Sequence, residues 1–170
     1  ERLLAITAAR LGAKYAVVRP TCIYGPGQHL HNAIPLFLKA GLAGQNPTLY
    51  GSGESLRDDV LAPDLSFCMA EALLRKQTGA FHAGGEKPRT IFETAEVCCQ
   101  AIEALGGAKG LRPVVDTSKK EKWWIDQSFD LTRSRELLGY EPHTLLEGVT
   151  CEARWIQGGG RPEDSVASFP

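Results

Sequence analysis

The sequence has little that would direct it to nucleic acid or to a membrane. Its 170 residues carry 19 Lys and Arg against 20 Asp and Glu, so the net charge is −1 and a polyanion is not attracted. No apolar run approaches the roughly 18 residues that span a bilayer, and no secretory signal pattern opens the chain. We therefore expect a soluble, cytoplasmic protein with neither nucleic acid nor membrane as partner.

Cysteines and histidines are too scattered to indicate a metal site or a disulfide framework. No two of the five cysteines have C-x-x-C spacing, and their number is odd. His29 and His31 lie two residues apart without a third ligand, a pattern more typical of exposed side chains than of a metal site. We therefore expect no bound metal and no disulfide. The five cysteines are Cys22, Cys68, Cys98, Cys99 and Cys151.

The composition that is present is that of one ordinary globular domain, with 43% hydrophobic and 23% charged residues. Apolar spacing, capping residues and Gly or Pro breaks predict helices and strands in alternation, which is typical of the α/β class. The predicted helices are 1–11, 33–43, 63–73, 91–105, 130–138 and 145–157, and the predicted strands are 15–18, 48–50, 55–61, 80–83 and 114–115.

Two segments carry more detailed expectations. Residues 21–31, with Gly25, Pro26 and Gly27, are predicted to form a polar loop after a strand end, where binding residues are common. Residues 48–61 are predicted to form two short strands joined by a tight turn. Two helices are expected to bury the apolar sets Leu65, Met69, Ala72 and Leu73, and Leu146, Val149, Ala153 and Ile156.

The order of motifs resembles the C-terminal half of the extended short-chain dehydrogenase/reductases, the NAD-dependent sugar-nucleotide epimerases and dehydratases. The resemblance rests on five segments in the family's order, which are 1–4 (ERLL), 17–28 (VVRPTCIYGPGQ), 34–37 (IPLF), 49–58 (LYGSGESLRD) and 130–142 (DLTRSRELLGYEP). It implies the last helix and strand of a Rossmann-type doubly wound sheet together with a small α/β substrate-binding domain. The implied division is 1–32 for the Rossmann remnant, 33–157 for the substrate domain with interleaved Rossmann elements, and 158–170 for a flexible tail.

The resemblance also implies a ligand set. NAD or NADP would be bound mainly by an N-terminal half, with Pro20, Thr21 and Cys22 facing the nicotinamide. A nucleotide-sugar-like molecule would contact the set Thr21, Cys22, Tyr24, Asn32, Thr48, Tyr50, Arg57, Arg112 and Lys120. Arg57 suits a diphosphate because its planar guanidinium pairs with phosphate oxygens in two hydrogen bonds. Asn32 suits the same group because a helix N-terminus favours an anion.

Each of these residues also has a plainer interpretation. Arg57 could form a surface ion pair with Asp58. Asn32 could be an ordinary N-cap, and capping alone would explain an Asn at this position. Cys22 could be a small buried hydrophobe, and Tyr50 could fill a core. The family usually has Asn at the position of Cys22 and an aromatic residue at that of Asp59, so the usual nucleotide-sugar contacts are altered.

Two family motifs are not found in the sequence. There is no glycine-rich G-x-x-G-x-x-G turn, and no Tyr is followed four residues later by Lys. Since the chain starts at Glu1 and inside a predicted helix, we expect a fragment or processed product. We therefore predict that the parent protein is an NAD-dependent epimerase or dehydratase, a homodimer, and that these residues alone are inactive. The alternative is a noncatalytic ligand-binding or assembly module with the same fold.

Overall fold

The computed structural model describes residues 1–119 and 126–160, which form six helices and eight short strands in alternation. The α/β fold class is confirmed. The helices are α1 (Arg2–Leu11), α2 (Ala33–Leu42), α3 (Ala62–Leu74), α4 (Ile91–Ala104), α5 (Thr132–Leu138) and α6 (Leu145–Gln157). The strands are β1 (Ala16–Pro20), β2 (Cys22–Tyr24), β3 (Thr48–Tyr50), β4 (Leu56–Arg57), β5 (Asp59–Leu61), β6 (Gly79–Ala83), β7 (Arg89–Thr90) and β8 (Val114–Asp116).

The described strands pair two by two. β1 pairs with β6, β2 with β5 and β3 with β8 in parallel, and β4 pairs with β7 antiparallel. Thr21 N donates to Ala83 O at 3.0 Å, and Cys22 N donates to Asp58 O at 3.1 Å, so the backbone passes directly from the β1–β6 pair to the β2–β5 pair. The carboxyl end of β1 and strand β2 therefore lie beside β5, where ligand sites of parallel sheets are common.

Two apolar clusters hold these elements together. In one, α3 and α5 cover the β1–β6 pair around Phe81 and Leu138, which are 1% and 0% exposed. In the other, α2, α4 and α6 pack around Leu38 and Ile102, both fully buried. Tyr24 and Leu61, at the ends of β2 and β5, belong to the second cluster. The second cluster therefore supports the β2–β5 pair from the side of α6.

The helix ends follow the sequence closely, because the interactions that set them are local. Gly12 ends α1 in a left-handed conformation (φ 60°), which only glycine adopts without strain. Thr90 and Thr144 each form a capping box with the Glu three residues later, at the starts of α4 and α6.

We expect Thr144→Ala to lower the free energy of unfolding by about 1 kcal/mol, because it removes the acceptor of the Glu147 N–H. Thr150→Ala is the matched control on the same helix. The Thr150 hydroxyl only donates to the Leu146 carbonyl, a bond that adds little to helix stability. Urea unfolding of both variants would measure the difference, and equal losses would contradict the capping role.

Four details of the sequence prediction were wrong. Residues 21–31 are not entirely loop, because β2 lies within them and pairs with β5. The hairpin across 48–61 does not form, since β3 pairs with β8 and β4 with β7. On α3, Met69 and Leu73 are 55% and 77% exposed, whereas Ala72 is buried as predicted and Cys68 is buried as well. On α6, Leu146 is 40% exposed. Each error concerns which side of a helix is buried or which strands pair. Contacts with distant parts of the chain determine both.

None of the helices in the described ranges combines the length and the apolar character needed to cross a membrane. All five cysteines are free thiols in the structure. Helix α1 nevertheless exposes several large apolar side chains, namely Leu3 (76%), Leu4 (45%), Ile6 (43%) and Leu11 (75%). This face of α1 has no covering element among the described residues.

Candidate functional site

A cleft of about 600 Å³ lies where β2, β4 and β5 meet the starts of α2 and α4. Its polar wall brings together four of the residues predicted from sequence, Cys22, Tyr24, Asn32 and Arg57. Three further polar side chains lie in the same wall, Gln28, His31 and Asp59. Convergent polar groups on an otherwise apolar concavity are typical of a ligand site.

A second concavity, of about 440 Å³, lies between β1 and the exposed side of α3. It is lined mainly by apolar side chains such as Met69 and Leu73, with Lys14, Lys76 and Gln77 as its longer polar groups. The described residues that line it include no acidic group and none of the ligand-site residues predicted from sequence. We therefore take the 600 Å³ cleft as the candidate site.

The start of α2 opens onto the cleft without a side-chain cap. Asn32 occupies the N-cap position, but its side chain does not accept a helix N–H. Instead, Asn32 Nδ2 donates to Gln28 Oε1 at 3.2 Å. Residues Ala33 and Ile34, whose N–H groups belong to the first turn, also line the cleft. A helix start of this kind carries partial positive charge and favours an anion.

Arg57 and Asp59 bring opposite charges to the cleft from β4 and β5. Burial raises the pKa of the Asp59 carboxyl to about 6, and the positive charge of Arg57 opposes this shift. Asp58, between them, is 2% exposed and accepts from Gly85 N at 2.7 Å and Phe129 N at 3.3 Å. The Asp58 carboxylate is therefore buried and engaged with backbone N–H groups, and it is not a surface group.

Cys22 contributes a thiol to the cleft wall. Its Sγ lies 3.2 Å from Gln127 Oε1, to which it donates. Burial and the negative charge of Asp59 raise the pKa of the Cys22 thiol, so the neutral form prevails at neutral pH. A neutral, hydrogen-bonded thiol is a weak nucleophile. The charge of Arg57 opposes this rise in pKa. Cys22 can therefore shape the cleft and contact a ligand as a neutral thiol.

Glu152, on α6, is a residue that sequence reasoning missed. Its side chain is fully buried beneath the cleft, and its Oε1 accepts from Gln28 Nε2 at 2.5 Å. Burial raises the pKa of the Glu152 carboxyl to about 7, the bond from Gln28 opposes the shift, and the charge of Asp59 adds to it. The signal in the sequence was a Glu on the apolar stripe of α6, directly before Ala153 and three residues after Val149.

Other predicted site residues lie away from the cleft. Thr48 and Tyr50 are on β3, where the Tyr50 ring is 46% exposed and Lys119 Nζ lies 4.5 Å from its centroid. Arg112 lies on a different surface, near Glu103, with its backbone N donating to Asn46 Oδ1. Lys120 lies outside the described residues. Thr48, Tyr50 and Arg112 do not line the cleft that holds Arg57.

Pro20 and Thr21 lie at the carboxyl end of β1, immediately before the cleft residue Cys22. The Thr21 backbone N–H is bound to Ala83 O. Its hydroxyl oxygen is buried and has no hydrogen-bond partner among the described residues. An unpaired buried hydroxyl at a strand end leaves one polar contact open to a ligand.

The fold is that of an α/β protein, and the cleft lies beside the parallel pair of β2 and β5. Residues 1–84 match the model of the NAD dependent epimerase/dehydratase family. The chain belongs to this family, within the extended short-chain dehydrogenase/reductases. The resemblance predicted from sequence is thereby confirmed.

Among curated relatives, the dTDP-glucose 4,6-dehydratase of Streptomyces niveus is 31% identical over 149 residues, which cover 86% of this chain and 43% of the relative. A solved dTDP-glucose 4,6-dehydratase from Streptomyces venezuelae, with NAD bound, is 28% identical with a TM-score of 0.66, covering 92% of this chain and 48% of the other. A UDP-glucose 4-epimerase from Thermotoga maritima shares the fold with a TM-score of 0.73 at 24% identity, covering 93% and 50%. The chain thus spans about half the length of these relatives.

Proposed function

We propose that this chain forms the nucleotide-sugar-binding part of an NAD(P)-dependent epimerase or dehydratase. The proposal rests on one observation, that the Arg57 side chain and the uncapped start of α2 line the same cleft. Together they offer a guanidinium and helix N–H groups, which suits a diphosphate. The relatives named above act on sugars linked to dTDP or UDP, and this supports a nucleoside diphosphate sugar as the ligand class.

In this proposal, different residues contact the diphosphate and the sugar of the ligand. Arg57 and Asn32 bind the diphosphate, and Tyr24, Thr21 and Cys22 face the sugar. Asp59 places a carboxylate near Arg57 and would accept hydrogen bonds from sugar hydroxyls. Thr48, Tyr50 and Arg112 are proposed to act beyond the cleft, with Tyr50 available for stacking on a base. Lys120, which lies outside the described residues, is proposed to contact the same ligand.

NAD or NADP is the cofactor that the family implies, and the residues at the end of β1 are compatible with it. The buried Thr21 hydroxyl without a partner offers an open hydrogen bond there. Pro20, Thr21 and Cys22 would hold the nicotinamide end, while other contacts would come from outside these 170 residues. NAD or NADP held there would supply hydride transfer chemistry for the sugar.

The remaining expectations stand as parts of the same proposal. Residues 1–32 would belong to the cofactor domain, 33–157 to the substrate domain with interleaved elements, and 158–170 to a tail. The Tyr-x-x-x-Lys acid/base pair does not occur in this sequence, so we propose that this chain binds the substrate without turning it over. The exposed apolar face of α1 would favour a homodimer or a larger partner surface.

Binding of UDP-glucose and dTDP-glucose to the 170-residue chain, measured by calorimetry, tests the proposal. We expect Arg57→Ala to weaken binding tenfold or more, since a hydrogen bond to a charged group contributes roughly 1.5–3 kcal/mol. Arg154→Ala removes an exposed arginine of α6 outside the cleft and should leave affinity unchanged.

Two outcomes would reject this function. One is equal affinity of the Arg57→Ala variant and the wild type, because it removes the guanidinium from the site. The other is no saturable binding of either nucleotide sugar at millimolar concentration. The second outcome would favour the noncatalytic assembly module.

A further inference from the structure

We propose that Glu152 is a positioning residue that holds the Asn32 side chain at the cleft through Gln28. This inference rests on the proposed function for its ligand. It concerns a carboxylate on α6 that does not itself line the cleft and that belongs to no motif of the sequence analysis. The inference deepens the proposed function by adding a buried support to the anion-binding start of α2.

The hydrogen bonds form a continuous chain from the buried carboxylate to the cleft. Glu152 Oε1 accepts from Gln28 Nε2 at 2.5 Å, and Gln28 Oε1 accepts from Asn32 Nδ2 at 3.2 Å. Oε1 is the accepting oxygen of the Glu152 carboxyl group, so it fixes which end of the Gln28 amide points inward. The opposite end, the Gln28 oxygen, then faces Asn32. The orientation of the half-buried Gln28 amide is therefore set by a carboxyl group buried below it.

Folding stability alone gives no reason for a Glu at this position. The Glu152 side chain is 0% exposed, and its Oε2 has no hydrogen-bond partner among the described residues. A buried carboxylate with an unpaired oxygen reduces stability compared with an apolar side chain of similar size. Residues of this kind are frequent where function needs a group held in place. Asn32, diverted from capping α2, is the group that Glu152 can hold.

The surroundings of Asn32 explain why it needs support. The side chain is exposed and, as an N-cap, would ordinarily be held by a helix N–H. Here that bond is not made. Without Gln28 and Glu152, Asn32 would sample several rotamers, and a ligand would have to order it on binding. The chain of hydrogen bonds thus removes part of the entropic cost of ligand binding.

The first test needs no ligand. In the 170-residue chain, Glu152→Met removes the acceptor but keeps the volume, and Glu152→Gln keeps an acceptor oxygen. We expect Glu152→Met to shift the side-chain amide resonances of Gln28 and Asn32 in ¹⁵N NMR spectra, and Glu152→Gln to leave those of Asn32 nearly in place. Unchanged Asn32 resonances in the Glu152→Met variant would overturn the inference, whatever the fate of the proposed function.

The second test is a double-mutant cycle with UDP-glucose as the probe, read by calorimetry. We expect Glu152→Met to weaken binding about tenfold when Asn32 is present and to have little effect in an Asn32→Ala background. Glu152→Gln should retain most of the affinity. A purely structural Glu152 would instead give the same loss in both backgrounds.

The two tests distinguish failure of the positioning role from failure of the proposed function. If the wild-type chain does not bind UDP-glucose but the Asn32 resonances respond to Glu152→Met, the positioning chain stands and the proposed ligand is wrong. If the wild-type chain binds and the two substitutions act additively, the proposed function stands and the positioning role is rejected. A variant that is more stable yet binds more weakly would distinguish positioning from a general loss of structure.

Discussion

Gly148→Ala is expected to destabilise the chain more than any other single methyl addition on α6. A Cβ at this position would lie 2.0 Å from Tyr24 Oη, 2.8 Å from Cζ and 3.0 Å from Cε2. Tyr24 is 4% exposed and packs in the cluster of α2, α4 and α6, so its ring has little room to move. Overpacking of this kind costs roughly 3 kcal/mol, which exceeds the helix propensity gained from alanine.

For a domain of this size, the expected loss corresponds to a fall in melting temperature of roughly 6–12 °C. Thermal unfolding followed by circular dichroism would measure it. Gly158→Ala, at the end of the same helix, is the control. Its Cβ would meet no atom closer than 3.5 Å, and its φ of −71° suits alanine.

Tyr24→Phe offers a check on the cause. It removes the oxygen that the Gly148→Ala methyl would strike, so the double variant should recover part of the lost stability. A melting temperature of Gly148→Ala within one degree of the wild type would show that α6 and β2 are not packed as described. Tyr24 also lines the cleft, so the packing of α6 against this ring supports the cleft wall.

The free energy of unfolding is expected to fall by roughly 3 kcal/mol between pH 5 and pH 8 through Glu152 alone. The ordinary Glu pKa is 4.5, and burial raises the pKa of Glu152 to about 7 in the folded chain. Between these values the native state keeps a proton that the unfolded state has released. Stability contributed by that proton is fully present near pH 4.5 and is lost as the pH rises through 7.

Urea unfolding of the wild type and of Glu152→Gln across this range would measure the effect. The Glu152→Gln variant cannot ionise at this position. Its free energy of unfolding should therefore increase relative to that of the wild type as the pH rises. Burial raises the pKa of Asp59 to about 6, so Asp59 lowers the stability of both chains over the same range and contributes to both profiles. Parallel pH profiles of the two chains would contradict the buried charge.

Glu147→Gln is the matched control for this experiment. Hydrogen bonds from Thr144 lower the pKa of the Glu147 carboxyl, so it is ionised in both states throughout this range. The stability that the ionised Glu147 carboxylate contributes is lost only at lower pH. The slope between pH 5 and pH 8 should therefore be the same with or without Glu147. A changed slope would show that the effect does not belong to Glu152.

The cleft could be predicted from the sequence only in part. Arg57 and Asn32 were found because the motifs around them resemble a family whose residues bind a nucleotide diphosphate there. Asp59 was noticed as a departure from that family, but its place in the cleft wall was not foreseen. Gln28 and Glu152 were missed, because the two residues are 124 positions apart and no local pattern connects them.

The sequence by itself determined the elements whose causes are local. The two capping boxes, the Gly12 end of α1 and the apolar strands β1 and β6 depend on residues a few positions apart. The tertiary structure alone decided which strands pair, which side of α3 is buried and where the Glu152 carboxylate lies. These depend on contacts between distant segments, and the balance of burial and hydrogen bonding there becomes known only when the segments meet.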